Sequence, residues 1–123
     1  MTAPNLKSPT TITGKTAFQT ISTTDKVFVL TNLQDSNKVY KVNSIFAANI
    51  DAASDAILNV SIANTIGAGS TSYLAKNFTV LNQTTQIVSS KESYFYLEEG
   101  HRIEVQVSVA NDIDIAVGYE EIV

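Results

Sequence analysis

The segment that decides the fold comprises residues 102–110, which read RIEVQVSVA. Its apolar side chains recur at every second position, from Ile103 to Val109, and polar side chains stand between them. Because successive side chains of a strand point to opposite faces, this alternation predicts a β-strand with one buried and one solvated face. Residues 113–122 repeat the pattern. The short, turn-prone link at residues 110–112 predicts that the two strands pair as an antiparallel hairpin.

The composition favours β structure along the rest of the chain. Val, Ile and Thr supply 38 of the 123 residues, whereas Leu and Met supply 8. β-branched residues pack well on a pleated sheet and are weaker helix formers than Leu or Met. The chain is therefore expected to be mostly strand.

Further alternation at residues 39–46 and 56–64 predicts two more half-buried strands. In the first, Tyr40, Val42 and Phe46 are expected to share one face. Weaker patterns predict strands at residues 17–22, 73–80 and 86–89.

A helix is the competing interpretation for residues 44–58, where Ala and Ile could form a helical stripe. We expect instead a strand end and a loop at residues 49–54, with room for one helical turn.

Two runs are apolar on both faces, at residues 27–30 (VFVL) and 94–97 (YFYL). A strand that is apolar on both sides is covered on both sides. In a small sandwich, the core supplies one cover and another subunit could supply the second. The candidate interface residues are Tyr94, Tyr96, Tyr119 and Phe28. A stacking platform for sugars or bases is the alternative use of the tyrosines.

About eight short strands separated by polar turns predict an all-β fold, an antiparallel β-sandwich of jelly-roll type, over residues 17–123. Residues 1–16 differ in composition, because they hold both prolines and many Thr and Ser but little apolar material. We expect this segment to be an extended N-terminal arm.

Charge and composition exclude several classes of function. The formal net charge is −4, and only 16% of residues are charged. The sequence contains no cluster of Lys and Arg of the kind that forms a nucleic-acid-binding surface. No apolar run reaches the roughly 20 residues of a membrane span. The N-terminal sequence has no signal-peptide pattern and the chain has no cysteine, so folding in the cytoplasm without disulfides is expected.

Catalytic motifs are not evident, and neither an enzyme activity nor a cofactor is predicted. His101, the single histidine, is expected to close a turn before a strand. The acidic residues occur at short spacing, and we interpret them as solvated turns, with a loop calcium site as a weaker alternative. These pairs are Asp51 with Asp55, Asp112 with Asp114, Glu98 with Glu99, and Glu120 with Glu121. The glycine-rich residues 67–70 lack the lysine and helix of a phosphate-binding loop, so a flexible connection is expected.

The C-terminal third carries a resemblance. Residues 94–105 (YFYLEEGHRIEV), 108–111 (SVAN) and 117–122 (VGYEEI) resemble the ends of small virion proteins of tailed bacteriophages, especially marine cyanophages. His101 departs from that pattern, because family members often carry Asp after the turn glycine. The resemblance implies a non-enzymatic virion structural protein that is assembled in the host cytoplasm. A capsid decoration protein is the preferred role, and a neck, tail or fibre component is the alternative.

The turn before the alternating strand and the near-terminal Gly118–Tyr119 pair are also similar to the jelly rolls of tumour-necrosis-factor-like domains. That similarity implies a homotrimer formed through an aromatic-rich face. The expected partners are further copies of the chain and a major capsid or other virion protein. The arm would grip neighbouring subunits through Pro4, Leu6, Pro9 and Ile12. A carbohydrate-binding module remains the alternative of another class.

Overall fold

The computed structural model describes residues 4–66 and 69–123, which form nine strands and one turn of 3-10 helix at Lys91–Ser93. The nine strands lie at β1 (Ile12–Thr20), β2 (Val27–Thr31), β3 (Val39–Asn49), β4 (Ala56–Asn64), β5 (Ser70–Val80), β6 (Thr85–Ser89), β7 (Phe95–Leu97), β8 (His101–Val107) and β9 (Ile113–Ile122).

The strands form two antiparallel sheets that pack face to face. Sheet A has the order β1-β9-β3-β6, with β7 pairing with β3 beyond the end of β6, and sheet B has the order β2-β8-β4-β5. If β6 and β7 are counted as one interrupted strand, these are two four-stranded sheets in the order of a jelly roll. The prediction of an all-β, antiparallel, jelly-roll-like sandwich is confirmed.

The core lies between the sheets and is filled by aliphatic side chains. Val42 and Ile45 of β3, Ile103 and Val105 of β8, and Val117 of β9 are fully buried. Residues two apart on a strand share a face, so the regular alternation of β8 and β9 places one row of each strand in this core. The inward faces predicted for these two strands are confirmed from Ile103 to Val107 and from Ile113 to Val117.

The predicted hairpin of the last two strands is wrong. β8 pairs with β2 and β4 in sheet B, whereas β9 pairs with β1 and β3 in sheet A. The link crosses from one sheet to the other, and its backbone groups bond to other segments: Ser108 N–H to Ile57 O at 3.0 Å, and Asn111 N–H to Ile21 O at 2.8 Å. Alternation in the sequence shows where a strand lies but not which strand pairs with it. The hydrogen bonds of the link to Ile57 and Ile21 favour its passage from one sheet to the other.

Phe46 lies on the face opposite to the predicted one. A bulge between Val42 and Ser44 inserts an extra residue into β3, which shifts the alternation. Ile45 and Ala47 therefore point into the core, and Phe46 is 40% exposed on the outside. The strand itself continues to Asn49, and residues 50–55 form a loop without a helical turn.

The sandwich begins earlier than the predicted boundary between residues 16 and 17. β1 starts at Ile12 and pairs with β9 over its full length, from Ile12 opposite Ile122 to Thr20 opposite Asp114. Thr10 N–H also donates to Val123 O at 2.7 Å. The last five residues of the segment predicted as an arm are therefore strand residues.

One buried asparagine organises each end of the sandwich. At one end, Asn32 is fully buried, and its Nδ2 donates to Lys38 O at 2.9 Å and to Leu97 O at 3.0 Å. At the other end, Asn49 Nδ2 donates to Val80 O at 2.9 Å. Each amide satisfies carbonyl groups that would otherwise be buried without a donor.

Glu121 of β9 binds one lysine in β1 and one lysine immediately before β3. Its Oε2 atom lies 3.2 Å from Lys15 Nζ and 3.4 Å from Lys38 Nζ. Burial alone would raise the pKa of Glu121, but the hydrogen bonds and charges of the two lysines outweigh burial and lower its pKa. The neighbouring rings of Tyr40 and Tyr119 pack with centroids 5.1 Å apart.

Candidate assembly surface

The outer face of sheet A carries an apolar row that crosses all four strand positions. Phe18 of β1 lies opposite Ala116 of β9, Ala116 lies opposite Phe46 of β3, and Phe46 lies opposite Ile87 of β6. Directly opposed residues in a sheet share one face, so these four form a continuous line. Phe18 is 78% exposed and Ile87 is 53% exposed. We call these four residues the apolar row.

A groove of about 470 Å³ runs beside the apolar row. Phe46 and Ile87 form its apolar side, while Lys41, Lys91 and Glu120 bring charges of both signs to its rim. Asn43 Nδ2 donates to Glu120 Oε1 at 3.1 Å and so orients this carboxylate. The groove therefore combines an exposed apolar strip with oriented polar groups, as protein–protein interfaces do.

Small residues keep the floor of this face shallow. Gly118 lies opposite Ser44, and a Cβ atom at position 118 would come within 2.8 Å of Ser44 Oγ. Ala116 is the next outward residue of the same strand. Only the methyl group of Ala116 lies between Phe18 and Phe46 in the row.

Two of the predicted interface tyrosines border this surface. Tyr96 of β7 lies opposite Lys41, and Tyr94 packs edge-on against Tyr96 with ring centroids 5.9 Å apart and an interplanar angle of 83°. Lys41 Nζ lies 4.3 Å from the centroid of the Tyr94 ring. The two rings are 47% and 39% exposed, respectively.

The other two predicted interface residues lie elsewhere. Tyr119 shares the inward face of β9 and packs against Tyr40 at the margin of the core. Phe28 lies on the outer face of sheet B, where the Arg102 guanidinium carbon stacks 3.7 Å from the centre of its ring. The structure thus brings Tyr94 and Tyr96 together and separates both from Phe28.

Sheet B has its own cleft, of about 590 Å³, next to Phe28. Glu104, predicted to be solvated, is only 3% exposed within it. Its carboxylate accepts from Arg102 Nε at 2.7 Å and lies 3.5 Å from Lys26 Nζ. One acid faces two cations, so the ionised side chains that line the cleft carry one excess positive charge.

The residues predicted to anchor the arm are solvent-accessible. Leu6 is 49% exposed and Ile12 is 56% exposed, whereas Pro4 and Pro9 are half-buried. Ile12 belongs to strand β1, and the other three precede it. A turn rather than a fully extended chain occupies the middle of this segment, because Ser8 N–H donates to Asn5 O at 3.1 Å.

The residues considered for chemistry lie at several places in the fold. His101 begins β8 after the turn at Gly100, and its N–H donates to Glu98 O at 3.0 Å, as predicted for a residue that closes a turn. Glu99, predicted to be solvated, is buried and accepts from Asn37 N–H at 3.2 Å. Within residues 4–66 and 69–123, no group of three or more His, Asp or Glu side chains converges. The glycine-rich segment at residues 67–70 lies partly outside the described residues.

Among the residues that the structure describes, no helix has the length and apolar character needed to cross a bilayer.

Sequence reasoning did not find the apolar row. Phe18 and Ile87 belong to strands whose alternation is weak, and the bulge in β3 hides the face on which Phe46 lies. The signal that could have found the row is a large apolar residue in each of three strands, two of which are weakly patterned. Only the register of the sheet places the three in one line.

No family model matches the chain, and no curated protein matches its sequence. Among solved structures, it is similar to a chain in the crystal structure of the T13 viral particle of IBDV, at 12% identity and a TM-score of 0.53 over 94% of this chain and 31% of the other. A chain of the infectious bursal disease virus Gx strain covers 94% of this chain at 13% identity and a TM-score of 0.47, with 33% of its own length matched. The chain thus spans about a third of the viral chains that it matches. At this identity, the first similarity shows the fold alone.

Proposed function

We propose that this protein is a non-enzymatic structural component of a virion, specifically a capsid decoration protein of a tailed bacteriophage. The observation that carries the proposal is the exposed apolar row on the outer face of a jelly-roll sandwich. A face of this kind suits permanent contact with another protein and offers no catalytic group. The fold similarity to a chain of a viral particle supports the same class.

A second copy of the chain is the proposed occupant of the outer face of sheet A. The rim of the groove holds Lys41 and Lys91 as well as Glu120, so charged groups of either sign on a neighbouring copy can be paired there. Tyr94 and Tyr96 extend the same surface, and aromatic side chains are enriched in the buried centres of interfaces. We propose a homotrimer, in keeping with the resemblance to tumour-necrosis-factor-like domains.

The capsid is the proposed partner of the N-terminal segment. Leu6 is exposed there, and Thr10 and Thr11 N–H groups, which donate to Val123 O, fix the point where the segment leaves the sandwich. An apolar side chain on a tethered segment can contact a neighbouring subunit while the sandwich stays displayed.

Deletion of residues 2–9 tests the arm mechanism, because it leaves β1 and the bonds of Thr10 and Thr11 intact. The truncated protein should keep its β-type circular dichroism and melting temperature, and its occupancy on purified particles should fall. The double variant Lys7→Ser/Ser8→Ala keeps the segment length and serves as the control. Full occupancy by the truncated protein would refute the arm mechanism. Electron microscopy that located the protein on the tail, neck or a fibre would refute the capsid assignment.

The replacement Tyr96→Asp tests self-association independently of the particle. It places a charge at the edge of the proposed interface and should shift the protein from trimer to monomer in light scattering. A wild-type chain that is monomeric at micromolar concentration would remove the self-association proposal.

The carbohydrate-binding alternative needs exposed, coplanar rings beside polar groups. Tyr94 and Tyr96 stand edge to face at 83°, an arrangement that does not favour a flat sugar platform. We therefore do not carry this alternative further.

A further inference from the structure

Two aspartates meet at the end of the sandwich where the loop after β3 lies against the link before β9. The carboxyl groups of Asp51 and Asp112 lie close enough for each to shift the pKa of the other. Asp112 is only 8% exposed, and its Oδ2 atom is buried without a hydrogen-bond partner. A buried carboxylate oxygen without a donor is rare and costly, and a second carboxylate beside it adds repulsion.

Backbone hydrogen bonds hold both aspartates in place. Asp51 N–H donates to Asn49 Oδ1 at 3.0 Å, and Asp51 Oδ1 accepts from Ala53 N–H at 2.8 Å. Ile50 N–H donates to Asp112 O at 2.8 Å, so the two loops are joined directly. The carboxyl group of Asp51 and the backbone of Asp112 are therefore held in place by the fold.

Among the described residues, no side-chain cation forms an ion pair with Asp51 or Asp112. The four ion pairs formed by the described residues all use Glu104 or Glu121 as the acid. The other aspartates near this end are engaged elsewhere, because Asp55 Oδ1 accepts from Asn82 N–H at 2.9 Å and Asp114 Oδ1 accepts from Thr20 Oγ1. The Asp51–Asp112 pair is thus a fixed concentration of negative charge with an unused oxygen.

We propose that Asp51 and Asp112 bind a Ca²⁺ ion, which joins the β3–β4 loop to the β8–β9 link. Ca²⁺ binds carboxylate oxygens together with backbone carbonyls and water, and it tolerates irregular geometry. Mg²⁺ demands a near-octahedral shell and retains its water more strongly, so two carboxylates on separate loops suit Ca²⁺ better. The site lies away from the outer face of sheet A, and the proposal does not depend on the virion role.

The ionisation of the two acids fits this assignment. Burial and the negative charge of Asp51 raise the pKa of Asp112, whereas hydrogen bonds, first of all that from Ala53 N–H, lower the pKa of Asp51. Asp112 is therefore the group that a proton would occupy in competition with Ca²⁺ as the pH falls.

Thermal unfolding of the full chain in EDTA and with added Ca²⁺ tests the site. Ca²⁺ should raise the melting temperature of the wild-type protein by roughly 3 °C or more at saturation, because a ligand of the folded state stabilises it. Asp112→Asn and Asp51→Asn should remove this shift while the proteins remain folded. Asp35→Asn, at the opposite end of the sandwich and exposed, removes the same charge and should keep the shift. Isothermal titration calorimetry with Ca²⁺ should give one site per chain.

Three results would overturn the proposal. The first is a wild-type melting temperature that does not respond to Ca²⁺, and the second is an equal response of the wild-type and Asp112→Asn proteins. The third is an equal shift by Mg²⁺ at the same concentration. The alternative is that the two acids share a proton. In that case the wild-type protein in EDTA would become more stable than Asp112→Asn as the pH falls, and Ca²⁺ would not change the melting temperature. None of these results bears on the trimer or on capsid binding, which are measured separately.

Discussion

Phe18 and Phe46 lie on either side of Ala116 in one cross-strand row, although 28 positions separate them in the sequence. The small side chain of Ala116 leaves both rings exposed on the outer face of sheet A. We expect the double variant Phe18→Ser/Phe46→Ser to weaken self-association at least ~tenfold, because aromatic anchors carry much of the binding energy at interfaces. Sedimentation equilibrium measures the change.

The control for this variant is Phe78→Ser, which removes a ring that is 39% exposed on β5 of sheet B. It should leave the association constant unchanged. Equal weakening by both variants would place the interface elsewhere.

Gly100 requires glycine for two reasons. Its φ is +81°, and a Cβ atom at this position would come within 2.4 Å of the Ile66 side chain. We expect Gly100→Ala to lower the free energy of unfolding by about 1–3 kcal/mol, through backbone strain and displacement of Ile66. Urea denaturation measures the loss. Gly14→Ala, where a Cβ atom would meet nothing within 4 Å, should be neutral or slightly stabilising. A neutral Gly100→Ala would contradict the turn geometry.

The side chain of Asn32 donates hydrogen bonds to both Lys38 O and Leu97 O, and among the described residues no other side chain does so. We expect Asn32→Ala to destabilise the protein by about 2–4 kcal/mol, because both carbonyl groups lose a donor and a buried space opens. Differential scanning calorimetry should show a lower melting temperature. Asn82→Ala, which removes the exposed hydrogen bond from Asn82 Nδ2 to Ala52 O, should cost less than half as much. Equal losses would mean that the buried amide contributes no more than a surface one.

Glu121 should contribute to stability at neutral pH and lose that contribution in acid. Its pKa in the folded protein is below the unfolded value, so the folded state holds the ionised form more strongly. The contribution is present above the unfolded pKa and disappears as the pH falls through the folded pKa. We expect Glu121→Gln to be less stable than the wild-type protein at pH 7, and the difference should shrink in acid.

Urea denaturation at a series of pH values measures this difference for Glu121. Glu98→Gln, at an exposed turn position, is the control and should track the wild-type protein throughout. A pH-independent effect of Glu121→Gln would mean that packing, rather than the two lysines, is responsible.

The parts of the fold that the sequence predicts are those where alternation runs without interruption. β9 has no bulge from Ile113 to Val117, so its buried face follows directly from its pattern. In β3, the bulge after Val42 reverses the faces, and nothing in the composition marks the extra residue. Strand partners were also beyond the sequence, because the link before β9 bonds to Ile21 and Ile57 rather than back to β8.

The surface was predictable only in part. Tyr94 and Tyr96 are two positions apart in the run at residues 94–97, so their proximity follows from the local sequence. The exposed line from Phe18 to Ile87 depends on the register of three pairings, which no local pattern determines. Glu104 was expected in water because its strand alternates cleanly. Its burial depends on Phe28 of β2, on Lys26 just before that strand, and on Arg102, which stacks on the Phe28 ring.

The position of β9 between β1 and β3 has a consequence for biosynthesis. β9, an inner strand of sheet A, is the last of the nine strands to leave the ribosome. The edges of β1 and β3 that pair with β9 therefore stay unpaired until residues 113–122 are available. Waiting edges of this kind are sites of misassembly between nascent chains. Closure of sheet A must therefore follow synthesis of β9, and a high local concentration of unfinished chains on one messenger RNA favours aggregation before the sandwich can close.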